Sequence, residues 1–512
     1  MAFSPSVTRL LLEQIVLFVA LGSLTYGYCS SIISVTLGQP SFITYFELDK
    51  RANASDLLGT INGVFQAGGF IGTLSCLGTA DWLGRRKALL AAAICTILGG
   101  ALQAGSVNIG MYIAMRAITG MGIGALVTLV PLYQSEISPP KIRGLLVGMH
   151  GTMIGTGYAV ACYVGLGFYF VNASGAQWRI PLAIQCVPPV LLACGIMMLP
   201  ETPRWLIMRN RVDEALEAFK ATRAETSDVL LSDEEGLRQD FEHLHRQTMH
   251  ELQHVVPFKR FLVQKSLRKR CIIGFLTMFG AQCTATIVIN NFGPMLYGSL
   301  GFGTVAQLGI QAGWVSTAPF GNLINAMIVD RVGRVRLLLI GFTGCMLALV
   351  GECITVSIFQ NTGSRGAASG AVFFLFAHIV VFVLCVDATT YIYAAEIFPT
   401  PLRAKGLAIS CSGLFFATII FTTAAPTAFA KIGWKYYLVF VILTTITIAV
   451  VYFWFPETRM LSLEDVQALF GDSVVEEGIA MEQSTSGLEK TTAEYPKERL
   501  TTVSSLAKST DH

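Results

Sequence analysis

The sequence is poor in charge. Asp, Glu, Lys and Arg make up 13% of its 512 residues, against about 25% in a soluble domain. Its net charge of +3 is too small to point to a nucleic-acid partner. It has no CxxC pair. The twelve Cys sit in or beside apolar runs, so neither a disulfide framework nor a zinc site is expected. They read as small buried hydrophobes. No nucleophile–base pair, metal cluster or cofactor loop is present, which argues against an enzyme and against any cofactor. The glycine runs Gly120/Gly122/Gly124 and Gly144/Gly148/Gly151/Gly155 have no preceding strand and no following Gly-Lys-Ser/Thr. They are expected to be helix-packing surfaces rather than phosphate loops. No cleavable signal peptide is expected, because the first apolar run is too long and no small-residue cleavage site follows it.

What the chain does have is hydrophobic length. It is 53% hydrophobic, with a mean hydropathy of +0.59. Apolar runs of about 20 residues, enough to cross a bilayer, occur twelve times: near 12–36, 57–79, 88–105, 111–134, 144–170, 181–200, 270–298, 305–329, 336–359, 368–394, 405–429 and 435–455. The expected fold class is an all-α integral membrane protein with twelve transmembrane helices in two six-helix bundles. The bundles are 1–200 and 270–470, joined by a linker, 201–269, and followed by a polar tail, 471–512. The tail, rich in Ser, Thr and Glu, reads as disordered.

Lys and Arg set the orientation. One set of loops carries ten, among them Arg85, Arg86, Lys87, Arg143, Arg334 and Arg403, and the opposite set carries six. The first set is expected to be cytoplasmic, with both termini inside. Two glycosylation acceptors, Asn53-Ala-Ser55 and Asn172-Ala-Ser174, then fall outside. The linker places Val212, Leu216, Phe219, Phe241 and Leu244 at helical spacing, as short amphipathic helices would. His250 and His254 stand four residues apart there, but a solvated helix face is a better reading of them than a metal site.

The two halves share motifs. Asp81-x-x-Gly84-Arg85-Arg86 returns as Asp330-x-x-Gly333-Arg334, 249 residues later. Glu136-x-x-Pro139-x-x-x-Arg143 returns as Glu396-x-x-Pro399-x-x-x-Arg403, 260 residues later. Pro200-Glu201-Thr202-Pro203-Arg204 returns as Pro456-Glu457-Thr458-Arg459, 256 residues later. Six spans per half make this a parallel repeat, which places a substrate site near the midplane between the halves. The duplicated acids and bases read as an inner gate: Asp81, Glu136 and Glu201 with Arg85, Arg143 and Arg204, and the same set again in the second half.

These motifs, with Arg116-x-x-x-Gly120-x-Gly122-x-Gly124, Pro131-x-Tyr133-x-x-Glu136, Arg143-Gly144 and Arg403-x-x-Gly406, resemble the sugar porter family of the major facilitator superfamily over 12–465. The length and tail look fungal. The resemblance implies alternating access and transport of a sugar or polyol across the plasma membrane, by uniport or proton symport. Residues that would touch substrate depart from the family pattern. The usual Gln on the fifth helix is Gly151, preceded by His150, and the usual Gln-Gln on the seventh is Ala281-Gln282. Asp387-Ala-Thr-Thr-Tyr391 replaces Gly-Pro-x-Pro-Trp on the tenth, and Leu414-Phe415 replaces Asn-Trp on the eleventh.

Polar groups at membrane depth mark function. Gln282, Thr286 and Asn290 share one helical face, and Asn291 adjoins them. Gly293-Pro294 is expected to kink that helix and free the Asn290 carbonyl. With Tyr391 and His150, these residues form the candidate pocket for a hydroxylated solute. Coupling candidates are Asp387, Arg116 and Cys29. Family symporters carry Asp where Cys29 stands, beside the Arg that Arg116 matches, and a thiol is a poor proton carrier. Uniport is therefore favoured over symport, and Asp387 is the residue that could carry a proton instead. The alternatives are a non-transporting sugar sensor and a porter for a non-sugar hydroxylated solute. The expected partners are a small solute, the bilayer and, for symport, protons, with the chain acting as a monomer.

Overall fold

The computed structural model describes residues 14–51, 53–138, 143–171, 173, 175–223, 234–253, 263–399, 402–459, 461 and 469–470. Asn172, His254 and the tail 471–512 lie outside them, as does the side chain of Arg143. Two compact units result, Met1–Met460 and Leu461–His512. The first contains both six-helix halves.

The spans are Gln14–Leu37, Ala54–Leu83, Arg85–Ala104, Ile109–Ile137, Arg143–Tyr169, Ala176–Ile196, Lys265–Ser299, Thr304–Val332, Arg334–Thr362, Arg365–Glu396, Arg403–Ile432 and Lys435–Trp454. Ten are long and apolar enough to cross a bilayer. The fifth and eighth, of 27 and 29 residues, have the length. The eighth is the more polar because Gln311, Asn322 and Asn325 are buried in it. Many helices outrun their apolar runs: the second continues through Asp81 to Leu83.

The repeated turn has an atomic explanation. Gly84 alone separates the second span from the third, at φ +87°, and Gly333 alone separates the eighth from the ninth, at φ +105°. Such angles suit glycine. A Cβ at Gly84 would also lie 2.7 Å from Glu201 Oε2, and one at Gly333 2.8 Å from Glu457 Oε2. Those carboxylates use the space to cap the next helix. Glu201 accepts the backbone N–H of Arg85 at 3.1 Å and of Arg86 at 3.2 Å. Glu457 accepts those of Arg334 at 2.9 Å and Val335 at 3.1 Å. A negative charge at a helix N-terminus is stabilising. Burial nevertheless pushes the Glu201 pKa above the usual carboxylate range, against the pull of those N–H groups.

Arg85 pairs with Asp81 at 3.3 Å and Glu136 at 2.9 Å, and Arg334 with Asp330 and Glu396 at 2.7 Å each. Tyr133 donates to Pro200 O at 2.7 Å, and Tyr393 to Pro456 O at 3.0 Å. These bonds stay within one half. Lys405 crosses to Asp81 of the other half at 3.9 Å. Arg86 donates to Met197 O at 2.8 Å, Arg204 lies in the helix Pro203–Met208, and Arg403 opens the eleventh span. Asn53 is exposed just before the second span, at the end opposite Asp81. In the linker, Phe219 of Val212–Arg223 packs on Phe241 of Glu234–Gln253 at 5.6 Å between ring centroids.

At some points the halves meet backbone to backbone, with no large side chain between them. On the second span, a Cβ at Gly59 would lie 2.2 Å from the Thr423 carbonyl oxygen, and one at Gly63 2.0 Å from Thr423 Oγ1. On the fifth, a Cβ at Gly155 would lie 2.8 Å from Pro319 N of the eighth.

Candidate functional site

The site grows from two broken helices. The seventh span stops at Gln282 and restarts at Thr286. Between them Ala285 takes φ +68°, unusual for a residue with a Cβ. Backbone freed at membrane depth needs partners from the protein, since each unsatisfied group costs several kcal/mol in hydrocarbon. Each freed carbonyl here has one. Thr284 Oγ1 donates to Ala281 O at 2.7 Å, and Thr444 of the twelfth span to Cys283 O at 2.9 Å. His378 Nε2 lies 2.8 Å from Thr284 O. A carbonyl only accepts, so that imidazole carries its proton on Nε2.

The tenth span breaks at Val386. Asn325 Nδ2 takes the Leu384 carbonyl at 2.7 Å and bonds Thr389 Oγ1 at 3.0 Å. Asp387 opens the second segment, where the helix dipole favours a carboxylate.

The expected kink at Gly293-Pro294 is not where the span is interrupted. The helix runs through Pro294 to Ser299, and the break lies at 283–285, held by the twelfth and tenth spans. Pro294 still withholds the N–H that would meet the Asn290 carbonyl. Gln311 Nε2 of the eighth span supplies the missing donor at 3.0 Å. Gly293 makes room for it: a Cβ there would lie 1.8 Å from Gln311 Oε1. Asn290 Oδ1 accepts weakly from Gln311 Nε2 and from Ser31 Oγ of the first span, each at 3.4 Å. Its acceptors are thus engaged, and Nδ2 has no partner.

These elements line a cavity. Gln282, Thr286, Asn290, Asp387 and Tyr391 all line it, so five of the candidates are brought together. Trp314, Phe382 and Leu414 supply apolar surface. The first half contributes Tyr26, Ile154 and Tyr158. No lysine or arginine is in the lining.

Asp387 Oδ2 accepts from Asn322 Nδ2 at 2.8 Å, and the same amide donates to Gly151 O at 3.2 Å. The missing fifth-span Gln is thus matched by an amide from the other half. A Cβ at Gly151 would lie in ordinary contact with Asn322, at 3.5 Å. His150 stands one layer behind the cavity. Its Nδ1 is 2.8 Å from Ser23 Oγ, and its ring meets Tyr391 edge-on at 5.3 Å, backing the tyrosine against the cavity.

Two groups of candidates lie elsewhere. Asn291 turns to the second span and donates to Asn62 Oδ1 at 3.2 Å. Arg116 donates to the Cys29 backbone carbonyl at 3.3 Å and lies 4.1 Å over the Phe65 ring, with Nε and Nη2 unpartnered. Neither Arg116 nor Cys29 lines the cavity.

The residues missed by sequence reasoning are Gln311, Trp314, Asn322, Tyr26 and Tyr158. A signal existed for the amides: Gln311, Asn322 and Asn325 fall on one helical face of the eighth run.

A family model described as sugar (and other) transporter matches residues 15–470. The MFS-type transporter criB of Aspergillus cristatus is 30% identical over 454 residues, covering 87% of this chain and 90% of that one. A probable quinate permease of Aspergillus niger is 30% identical over 481 residues, covering 89% and 88%. Among solved structures, the proton:xylose symporter XylE bound to 6-bromo-6-deoxy-D-glucose aligns with TM-score 0.76 at 21% identity, over 90% of this chain and 99% of that one. The inward-open form of XylE from E. coli aligns with TM-score 0.70.

Proposed function

We propose a substrate class and a route for this chain, which belongs to the sugar (and other) transporter family. It is a multi-pass membrane transporter of sugar-like solutes with the major facilitator fold, not an enzyme. Its substrate, on our reading, is a neutral polyhydroxylated ring, a sugar or polyol. One observation carries this: the cavity between the broken helices combines amide donors, a carboxyl acceptor and aromatic faces, with no cationic side chain. Gln282 and the free Nδ2 of Asn290 donate to hydroxyl oxygens, and Asp387 accepts from hydroxyl protons. Trp314 and Tyr391 cover the apolar ring faces.

The solute enters from one side, contacts both halves, and leaves when the halves rock to open the other side. Asp81, Arg85, Glu136 and Glu201, with Asp330, Arg334, Glu396 and Glu457, hold the helix ends at the inner gate. Lys405 and Asp81 form its breakable crossing. The protein acts as a monomer in the plasma membrane with both termini cytoplasmic, and Asn53 is available for glycosylation outside.

Transport is by uniport. Arg116 is engaged by a backbone carbonyl and a ring, and Cys29 stands where a coupling Asp would. A second reading follows from relatives that are named quinate permeases. A hydroxylated acid would enter protonated, because an ionised one would face Asp387 without a cation.

The test is radiolabelled uptake in transporter-null yeast, with sugars, polyols and hydroxylated acids, at two pH values with and without uncoupler. Neutral solutes should enter without dependence on the uncoupler. Accumulation that the uncoupler abolishes would overturn uniport, and uptake of acids alone would replace the substrate class.

A further inference from the structure

Glu352 is a buried acid that transport through the central cavity does not use. It lies in the ninth span at 2% exposure, and its Oε2 has no hydrogen-bond partner. It lines a different cavity, of about 760 Å³ including its open part, between the second, seventh, ninth, eleventh and twelfth spans. This cavity is at the end away from the arginine clusters. Phe429, Trp434 and Tyr437 stand in its wall, and no lysine or arginine does. Phe429 packs edge-on against Tyr437 at 5.4 Å and Tyr436 at 5.1 Å, so the aromatic wall is braced.

A carboxyl group at such depth without a cation is costly when ionised. A metal ion would need several hard ligands, and no cluster of three acidic, His or Cys groups exists among the described residues. Aromatic faces beside a carboxylate are the recognition chemistry of a substituted ammonium group. We infer that this cavity is a site for a substituted ammonium, with its charge on Glu352 and its alkyl groups against Trp434 and Tyr437.

The position gives occupancy a consequence. The same wall contains Leu296 and Ser299 of the seventh span, in the Thr286–Ser299 segment that also carries Asn290, and Ser55 of the second span. Beside Ser55, Asp56 accepts from Thr427 of the eleventh span at 2.7 Å, across the two halves. An occupant braces the halves at this end and lowers the maximal rate of transport while leaving KM for the transported solute unchanged.

The binding arm does not depend on which solute is carried. The full chain is reconstituted in vesicles of phosphatidylglycerol or of phosphatidylcholine, and binding of radiolabelled choline is measured. 3,3-Dimethylbutanol, the neutral isostere, serves as competitor. Choline should bind saturably, and Glu352→Gln should weaken it about tenfold or more. Glu352→Asp should preserve binding, Trp434→Leu should weaken it several-fold, and each variant should still take up solute. Weaker binding in phosphatidylcholine than in phosphatidylglycerol identifies the lipid headgroup as the occupant, and equal binding identifies a free amine. The inference is overturned if Glu352→Gln binds like the parent, if dimethylbutanol competes equally, or if a transporting chain binds no choline.

Discussion

The two halves build the same cluster from the same residue types and finish it differently. In the second half, Arg334 reaches both oxygens of Glu396, at 3.0 and 2.7 Å, and Thr458 donates to Glu396 at 2.9 Å. In the first half, Glu136 Oε2 and Thr202 Oγ1 have no partner, and Asp81 reaches across to Lys405. Duplication kept the parts and not the bond count. The half with acceptors to spare is the one whose acid pairs across the seam. At membrane depth the asymmetry reverses. The amides and the carboxyl of the cavity come from the seventh and tenth spans, while the first half presents two tyrosines and an isoleucine.

Six substitutions would break or sharpen this comparison. The largest effect is expected from Arg334→Ala. It leaves Glu396 without the cation that reaches both its oxygens, and should abolish uptake and lower the melting temperature of the purified protein. Arg85→Ala should lose less. Equal losses would mean that the two clusters are energetically alike. Asp387→Asn should come next, raising KM tenfold to a hundredfold for about 1.5–3 kcal/mol, the worth of a hydrogen bond to a charged group. Maximal rate and uncoupler insensitivity should stay as they are. A loss of proton-driven accumulation would instead make Asp387 a coupling residue.

Gln311→Leu should follow, since it strips the Asn290 carbonyl of its donor at about 1–3 kcal/mol and should raise KM about tenfold. Ser23→Ala, which removes a hydrogen bond to His150 behind the first-half wall, should change KM less. A larger effect from Ser23 would move the site toward the first half. Lys405→Met is the smallest: a partly exposed pair at 3.9 Å contributes about 0–1 kcal/mol. A shift of a few-fold in the ratio of influx to efflux rates is expected.

Much of the fold was legible because its causes are local. Apolar length gave the spans, and Asp81-x-x-Gly84-Arg85 gave the turn, whose positive φ, back-paired arginine and second copy all follow from neighbouring residues. Asp387 and Gln282 could be picked out for the same reason, as polar residues in apolar runs. What stayed hidden depends on which helices face each other. Gly151 departs from the family pattern, and the amide that bonds its carbonyl, Asn322, comes from the other half. The break at 283–285 contains neither glycine nor proline, so nothing in those residues announces it. It exists because Thr444 and His378 accommodate its carbonyls. Pro294 drew attention to itself, yet the chain had already answered it with Gln311. Asn291 shares a helix with Asn290, but a rotation of about 100° sends it to a different neighbour.

The seam at Gly59, Gly63 and Thr423 has a mechanical consequence. Where Gly59 and Gly63 meet Thr423 there is no layer of flexible side chains to compress, so pulling the second and eleventh spans apart there opens a void. Rolling one over the other does not, because each point of contact is replaced by the next. Movement of the halves during transport is therefore expected to run as rotation about that line of contact rather than as separation. Turnover should respond to the thickness of the line itself, where a single added methyl group acts as a shim.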